Sequence, residues 1–339
     1  MAAWTLQEAD QEFIAREVEP FLPDRIFDAH VHLFCQSHYA PAVPPAYLHG
    51  NPERIGLEAY RHYIDWIHPG GRTVGALCFG LTFTGDRDGN NAFIAAEVAA
   101  APRPEMVALG QLVIPPEQDP EQIREMVRRD GYVGLKCYHT MAKIEGPTWN
   151  APIEDYLPEE HVRIAHEEGL SITLHMVRDR ALADPVNQAT IRRYCERYPN
   201  MRLILAHAAR GFNPWHTIEG IASLSGLNNV WFDTSAVTEA GAFEAIVETF
   251  GHERLLYGTD FPISHMRGRC VAIGDSFHWF YAEDMNLDEK HIALRPVLIG
   301  LESLRSIRLA ARRLKLSDQQ VEDIFYNNAA RLFSLNGSR

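Results

Sequence analysis

The chain has 339 residues, 46% hydrophobic and 23% charged, the make-up of a globular protein long enough for two ordinary domains or one large one. Its formal net charge of −13 argues against a nucleic-acid partner or an anionic membrane surface, both of which favour a basic face. Five cysteines, at 35, 78, 137, 195 and 270, show no close pairing, so free thiols are expected. The first ten residues carry acids where a leader needs a basic and then an apolar run, and no apolar stretch approaches a membrane span. A cytoplasmic protein is expected.

In chain order, residues 5–20 read as an acidic amphipathic helix closed off by Pro20 and Pro23. A buried strand follows over 26–32, then a proline-rich loop over 36–53 and a helix over 55–68 that stops at Pro69-Gly70-Gly71. Strands are then expected at 73–83, 106–114, 132–138, 170–175, 201–207, 230–235 and 255–260. Helices are expected between them, at 91–100, 119–129, 158–168, 185–197, 215–224 and 239–250. Beyond 260 the chain reads as mostly helical, with C-terminal helices over 287–335 and a late helix starting at Ser317-Asp318. Eight strand–helix units without consecutive strands predict parallel pairing through right-handed crossovers, and so an α/β fold of the (β/α)8 TIM-barrel kind. No glycine-rich phosphate loop opens the first helix, which weakens an open nucleotide-binding sheet. With no linker or low-complexity segment, residues 1–339 read as one domain.

The first strand carries Asp28-Ala-His30-Val-His32. Side chains two apart on a strand share a face, so the carboxylate and both imidazoles point the same way, as half of a divalent metal site would require. In such a barrel the chemistry sits where strands end. Later strands end on Lys136, His175, His207, Asp233 and Asp260, each directly after an apolar run. One such histidine could simply be hydrogen-bonded, but the set together points to a shared metal centre.

The series His-x-His, Lys, His, His, Asp on strands one, four, five, six and eight resembles the amidohydrolase superfamily. The phrases around Asp28, His207 and Asp260 (Phe-Asp-Ala-His-Val-His, Leu-Ala-His-Ala, Tyr-Gly-Thr-Asp-Phe-Pro) and the closing Tyr326-Asn-Asn-Ala-Ala-Arg-Leu-Phe resemble its amidohydrolase-related branch, metal-dependent barrel hydrolases and decarboxylases. The likeness spans about residues 25–335.

The resemblance implies metal ligation by His30, His32, His175 and Asp260, with Asp260 also the general base. His207 would polarise the substrate or move protons, or hold a second metal. Lys136 would contact substrate or support the site, bridge two metals if carboxylated, or form a structural ion pair. Zn²⁺ suits the nitrogen and oxygen donors, as one ion, or two if Lys136 is carboxylated; Mn²⁺ or Fe²⁺ would also fit. Asp28 is expected to support the site from behind, and Asp233 to orient a neighbour.

Arg178 and Arg210, each three residues after a site histidine, are candidates to bind a substrate carboxylate, with Tyr138 and His139 beside them. His265 and Arg267 are weaker candidates on the same rim. Cys137 alternates away from Lys136 and reads as a buried small hydrophobe. The leading expectation is hydrolysis of an ester, lactone or amide in a small acidic molecule. Non-oxidative decarboxylation of an aromatic or unsaturated acid by the same residues is the alternative, and a non-catalytic binding barrel is the third reading. Specificity is expected in the loops 34–54, 139–157, 178–184 and 261–280, and a homodimer is expected at the level of the family.

Overall fold

A computed structural model of the protein describes residues 4–39, 52–82, 85–284 and 294–335. The middle of the proline-rich loop and the first part of the expected C-terminal helical region lie outside the described residues.

Eight parallel strands run in chain order around a nearly closed barrel: β1 Ile26–His32, β2 Thr73–Phe79, β3 Val107–Val113, β4 Gly134–Tyr138, β5 Ser171–His175, β6 Arg202–Leu205, β7 Val230–Asp233 and β8 Leu255–Leu256. All seven residues of β1 and all five of β4 are buried, because one face fills the barrel and the other meets the helices.

Crossover helices begin where side chains can satisfy free N–H groups. Asp119 accepts from the amides of Glu121 and Gln122 ahead of the helix Pro120–Asp130, and Asp184 accepts from Val186 ahead of the helix Pro185–Arg197, each with proline in the first turn. Gly131, at φ 72°, ends the first of these helices in a left-handed conformation that suits glycine. Ser317 and Gln320 form the capping box expected at the late helix.

The barrel's seam lies between β8 and β1. Only Leu255 and Leu256 of the expected strand 255–260 form a ladder, with β7. From there, Ala29 N donates to Tyr257 O (2.8 Å), Asp260 N to His30 O (3.0 Å) and His32 N to Phe261 O (2.9 Å). Asp28 completes the stitch. Its carboxyl accepts from Thr259 N (2.9 Å), Thr259 Oγ (2.5 Å), Tyr60 OH (2.8 Å) and His30 N (3.1 Å). Burial pushes that carboxyl up to about 7 despite these donors. Asp28 therefore acts in closing the barrel behind the site.

Two expectations need correcting. The region after 260 is not mostly helical at its start: Gly268–Ile273 (β9) and Ser276–Tyr281 (β10) form an antiparallel hairpin turning at Gly274-Asp275. Its signature was the alternation Ser-Phe-His-Trp-Phe-Tyr after a Gly-Asp pair. The rim residues also have other partners. Arg267 forms a two-pronged ion pair with the fully buried Asp10 (2.6 and 2.8 Å), tying the N-terminal helix Glu8–Phe13 to the loop after β8. His265 donates to Tyr63 O (2.8 Å) within a cluster that includes Trp4 and Phe261.

His68 is buried between Thr73 Oγ (2.9 Å) and Tyr257 OH (2.6 Å), and burial lowers its pKa to about 3. The unfolded chain takes up that proton near pH 6.5 and the folded one does not, so the stability linked to His68 is complete above 6.5 and drains as pH falls toward 3. The expected slope is about 1.4 kcal/mol per pH unit from this residue. His68→Asn should remove that increment from the pH dependence between roughly 6 and 5, as read by denaturant unfolding.

Candidate active site

A cavity of about 170 Å³ opens where the strands end, lined by His30, His32, Leu81, Thr82, Tyr138, His139, Thr140, His175, His207, Asp260 and Ile263. Eight parallel strands bring residues as far apart in sequence as His30 and Ile263 onto this one rim.

The tautomers follow from the bonds. His30 Nδ1 lies 2.9 Å from Asp233 Oδ2, and His32 Nδ1 lies 3.2 Å from the Gly80 carbonyl, which also accepts from Tyr138 OH at 2.6 Å. Both Nδ1 atoms therefore carry hydrogen, which leaves both Nε2 atoms bare. Those bare nitrogens face Asp260 Oδ1, at 3.0 Å from His32 and 3.5 Å from His30. Burial lowers the pKa of both imidazoles, His30 to about 3, so they stay neutral. Burial alone would raise the Asp260 carboxyl, but His207 beside it holds it well below the usual carboxylate range.

Two imidazole nitrogens and a carboxylate oxygen thus face one another, buried, with the Lys136 ammonium beside His30 Nε2. Their separations suit the edges of a coordination shell with ligands at about 2.0–2.2 Å, where two donors stand roughly 3.3 Å apart. The donor set fits a divalent cation. A second cluster of close donor atoms joins His30, His207 and Asp233, but its hydrogen bonds already satisfy it.

Asp233 accepts from His207 N (2.8 Å) and Ser235 N (3.1 Å) as well as from His30. Burial would raise its carboxyl, and the His30 contact outweighs this, leaving it at about 2. Lys136 is fully buried, its Nζ 3.5 Å from His30 Nε2 and 4.5 Å from the centre of the Phe79 ring. Burial lowers its pKa to about 8, against the pull of Asp233 and Asp260. At neutral pH two buried carboxylates therefore share one ammonium, and a further cation would balance them.

His207 Nδ1 lies 3.0 Å from Ser235 O, and its Nε2 meets His175 Nδ1 at 3.2 Å. His175 is on the cavity wall, but among the described residues it belongs to neither cluster of close donor atoms. His207 is not the last residue of a strand as expected. β6 ends at Leu205, and His207, Ala208, Ala209 and Arg210 all take positive φ, between 51 and 61°. This left-handed turn turns the His207 ring back over the strand ends and against Phe212 at 5.1 Å. Asp260, at φ 60°, is also left-handed, and so β8 breaks off before it.

Of the four expected substrate contacts, Tyr138 and His139 line the cavity. Arg178 does not: its Nε donates to Asp184 (2.8 Å) and its NH1 to the Asn150 carbonyl (3.1 Å), so a helix cap and a loop already use its fork. Arg210 sits behind the wall, donating to Met176 O at 3.1 Å. Cys137 is buried and its thiol pushed up to about 12, away from a nucleophile's range. Sequence reasoning passed over Ser235, Gly80, Thr82, Thr140 and Phe212. Among these only Ser235, two residues after Asp233, had a positional signal.

A parallel eight-stranded barrel with a buried histidine–carboxylate cluster at its strand ends has the layout of a catalytic barrel, with donors that could hold a metal ion. The amidohydrolase family profile matches residues 27–335, and the chain belongs to that family. The chain is 28% identical over 116 residues to the L-fucono-1,5-lactonase of Burkholderia ambifaria, a match covering 29% of this chain and 39% of that enzyme. Among solved structures, a Pseudomonas putida protein described as a 2-pyrone-4,6-dicarboxylic acid hydrolase superposes with a TM-score of 0.56 at 18% identity, over 94% of this chain and all of that one. The 2,6-dihydroxybenzoate decarboxylase of Rhizobium superposes with a TM-score of 0.56 at 15% identity, over 93% of this chain and all of that one. The chain thus belongs to the amidohydrolase family, and barrels described as a hydrolase and as a decarboxylase are both among its structural neighbours.

The turn at 207–210 yields a test. A left-handed non-glycine residue costs roughly 1–2 kcal/mol, and a lost buried methyl about 0.8 kcal/mol. Ala209→Gly should therefore be neutral or up to about 1 kcal/mol more stable, whereas the same change inside a helix costs about 1 kcal/mol. Denaturation midpoints of the two proteins measure this.

Proposed function

We propose that this protein is a metal-dependent hydrolase that opens an ester, lactone or amide in a small, acidic molecule. One observation carries the reading: the bare Nε2 atoms of His30 and His32 face an ionised Asp260, an arrangement that asks for a cation. Zn²⁺ suits the nitrogen and oxygen donors best, with Mn²⁺ and Fe²⁺ as further fits. His30, His32 and Asp260 would hold the ion, and His175, on the same wall, would complete the set. Bound there, it would supply Lewis acidity and lower the pKa of a water toward about 7.

The chain's own groups supply the rest. Asp260 stays ionised and accepts the proton that a nucleophilic water must lose. His207 donates through Nδ1 to Ser235, so its Nε2 is free to exchange a proton with His175 or with the leaving group. Lys136, with a pKa of about 8, is charged at neutral pH and steadies negative charge developing beside His30. Tyr138 and His139, which line the cavity, bound the substrate. The lactonase and pyrone hydrolase among the relatives support lactones as the first class to test.

Elemental analysis should find one Zn²⁺ per chain, lost in the His30→Ala/His32→Ala double variant, whose fold circular dichroism checks. Zinc-loaded enzyme should hydrolyse members of a panel of aldonolactones and 2-pyrone carboxylates, with Asp260→Asn lower by about 10²–10⁴-fold. Carbon dioxide release from hydroxybenzoates, without hydrolysis of the panel, would move the assignment to decarboxylation, which the same donor set serves. A protein that binds no stoichiometric metal overturns both readings.

Asp233 holds the His30 tautomer, so Asp233→Asn should weaken zinc affinity about 10–100-fold. Competition with a chelator of known affinity measures it.

A further inference from the structure

The Ser235 hydroxyl touches three side chains of the site, and the chemistry above gives it no task. Ser235 lies two residues past the end of β7 and is fully buried. Its Oγ bonds Asp233 Oδ1, and lies 2.9 Å from His207 Nδ1 and 3.1 Å from His30 Nδ1. A serine hydroxyl has one hydrogen and two lone pairs. The Asp233 carboxylate only accepts, so the hydrogen goes there and the lone pairs receive the two imidazole N–H groups. All three capacities are used. The carboxylate is itself fixed by the amides of His207 and Ser235.

The two imidazoles stand 4.9 Å apart, 38° between planes, with this one hydroxyl in contact with both. Glycine at 258 permits the approach. A Cβ there would stand 3.0 Å from the His30 Cβ and 3.5 Å from the Ser235 Cβ. The histidines depend on the hydroxyl unequally. His30 Nδ1 has its own bond to Asp233 at 2.9 Å. His207 Nδ1, among the described residues, finds its hydrogen-bond acceptors in Ser235 alone: the hydroxyl at 2.9 Å and the carbonyl at 3.0 Å. The carbonyl is enough to keep the proton on Nδ1. A single acceptor, however, leaves the ring free to swing about the bond, and a second from another direction fixes its plane. Fixing that plane also fixes Nε2 on the far side of the ring, which meets His175 at 3.2 Å on the cavity wall.

We propose that Ser235 is a positioning residue: its hydroxyl pins the His207 ring to Asp233, at a set distance from His30, and so aims His207 Nε2 at the leaving group. The inference rests on the hydrolase reading above, in which His207 moves that proton. Displacing such a ring by about 1 Å costs on the order of 10²-fold in rate without loosening the metal ligands.

Ser235→Ala keeps the carbonyl and removes the hydroxyl. With a lactone that the unmodified enzyme hydrolyses, kcat should fall about ten- to a hundredfold, while KM and zinc affinity stay within about threefold. Thr234→Val removes the neighbouring buried hydroxyl, which bonds the Gly258 carbonyl at 3.1 Å, and kcat should stay within about threefold. A second readout needs no turnover. In protein carrying isotope-labelled histidine, nuclear magnetic resonance follows exchange of the imidazole N–H protons with solvent. His207 Nδ1–H should exchange at least about tenfold faster in Ser235→Ala, whereas His30 Nδ1–H, still held by Asp233, should not. An alanine variant with unchanged kcat, zinc affinity lost as steeply as in Asp233→Asn, an equal fall in Thr234→Val, or unchanged His207 exchange would each overturn the proposal. Hydrolysis that is indifferent to Ser235→Ala refutes the positioning role alone. Faster His207 exchange in a protein that hydrolyses none of the panel supports the positioning role and refutes the hydrolase reading alone.

Discussion

The opposition of His30 and His32 to Asp260 across the seam between β1 and β8 is the constraint on which the rest depends. Three buried acceptors at 3.0–3.5 Å repel one another unless something positive lies among them. The protein commits to that arrangement from all sides. Asp233 and Gly80 fix the two tautomers, Asp28 stitches Thr259 to β1, and Lys136 brings the nearest positive charge of the chain's own. Stability is given up locally so that three side chains present bare donor atoms, which is the usual physical mark of a binding centre.

Strain at the rim has the same explanation. His207 to Arg210 and Asp260 adopt left-handed backbone without a glycine among them. Such residues persist only where surrounding contacts over-determine them. Here Asp233 accepts from the His207 amide, Thr217 bonds the Ala208 carbonyl, and Asp260 N bonds His30 O. The turn places His207 against Phe212 and Arg210 above Phe277 in one stroke, so the catalytic cluster and the aromatic hairpin are mechanically continuous.

Much of the fold was legible because local signals agreed with the global pattern. Asp119 and Asp184 with their prolines, Gly131, and Ser317 with Gln320 mark helix ends by satisfying free backbone groups, and such chemistry is local. The hairpin at 268–281 was passed over because a helical tail was expected there, although the alternation of its rings was present. The site was legible in part. His30, His32 and Asp260 announced themselves as polar residues on buried strand ends, and the structure brings them together. Arg178 resembled Arg210 in position, three residues past a site histidine, yet Asp184 holds Arg178 while the Met176 carbonyl holds Arg210. No local pattern separates two such arginines.

By itself, the sequence determined the alternation of eight strands with helices, the buried face on which Asp28, His30 and His32 lie together, and the polar residues that end later strands. All of these are set by period and burial within a dozen neighbouring residues. Only the tertiary structure decided which nitrogen of each histidine is bare, that Asp28 closes the seam, that Lys136 lies beside His30, and that Asp184 holds Arg178. Those outcomes depend on hydrogen bonds between residues as far apart as Asp28 and Thr259 or His30 and Asp233. Closing the barrel alone sets such distances, because the strands' stagger and tilt place the rim residues in three dimensions.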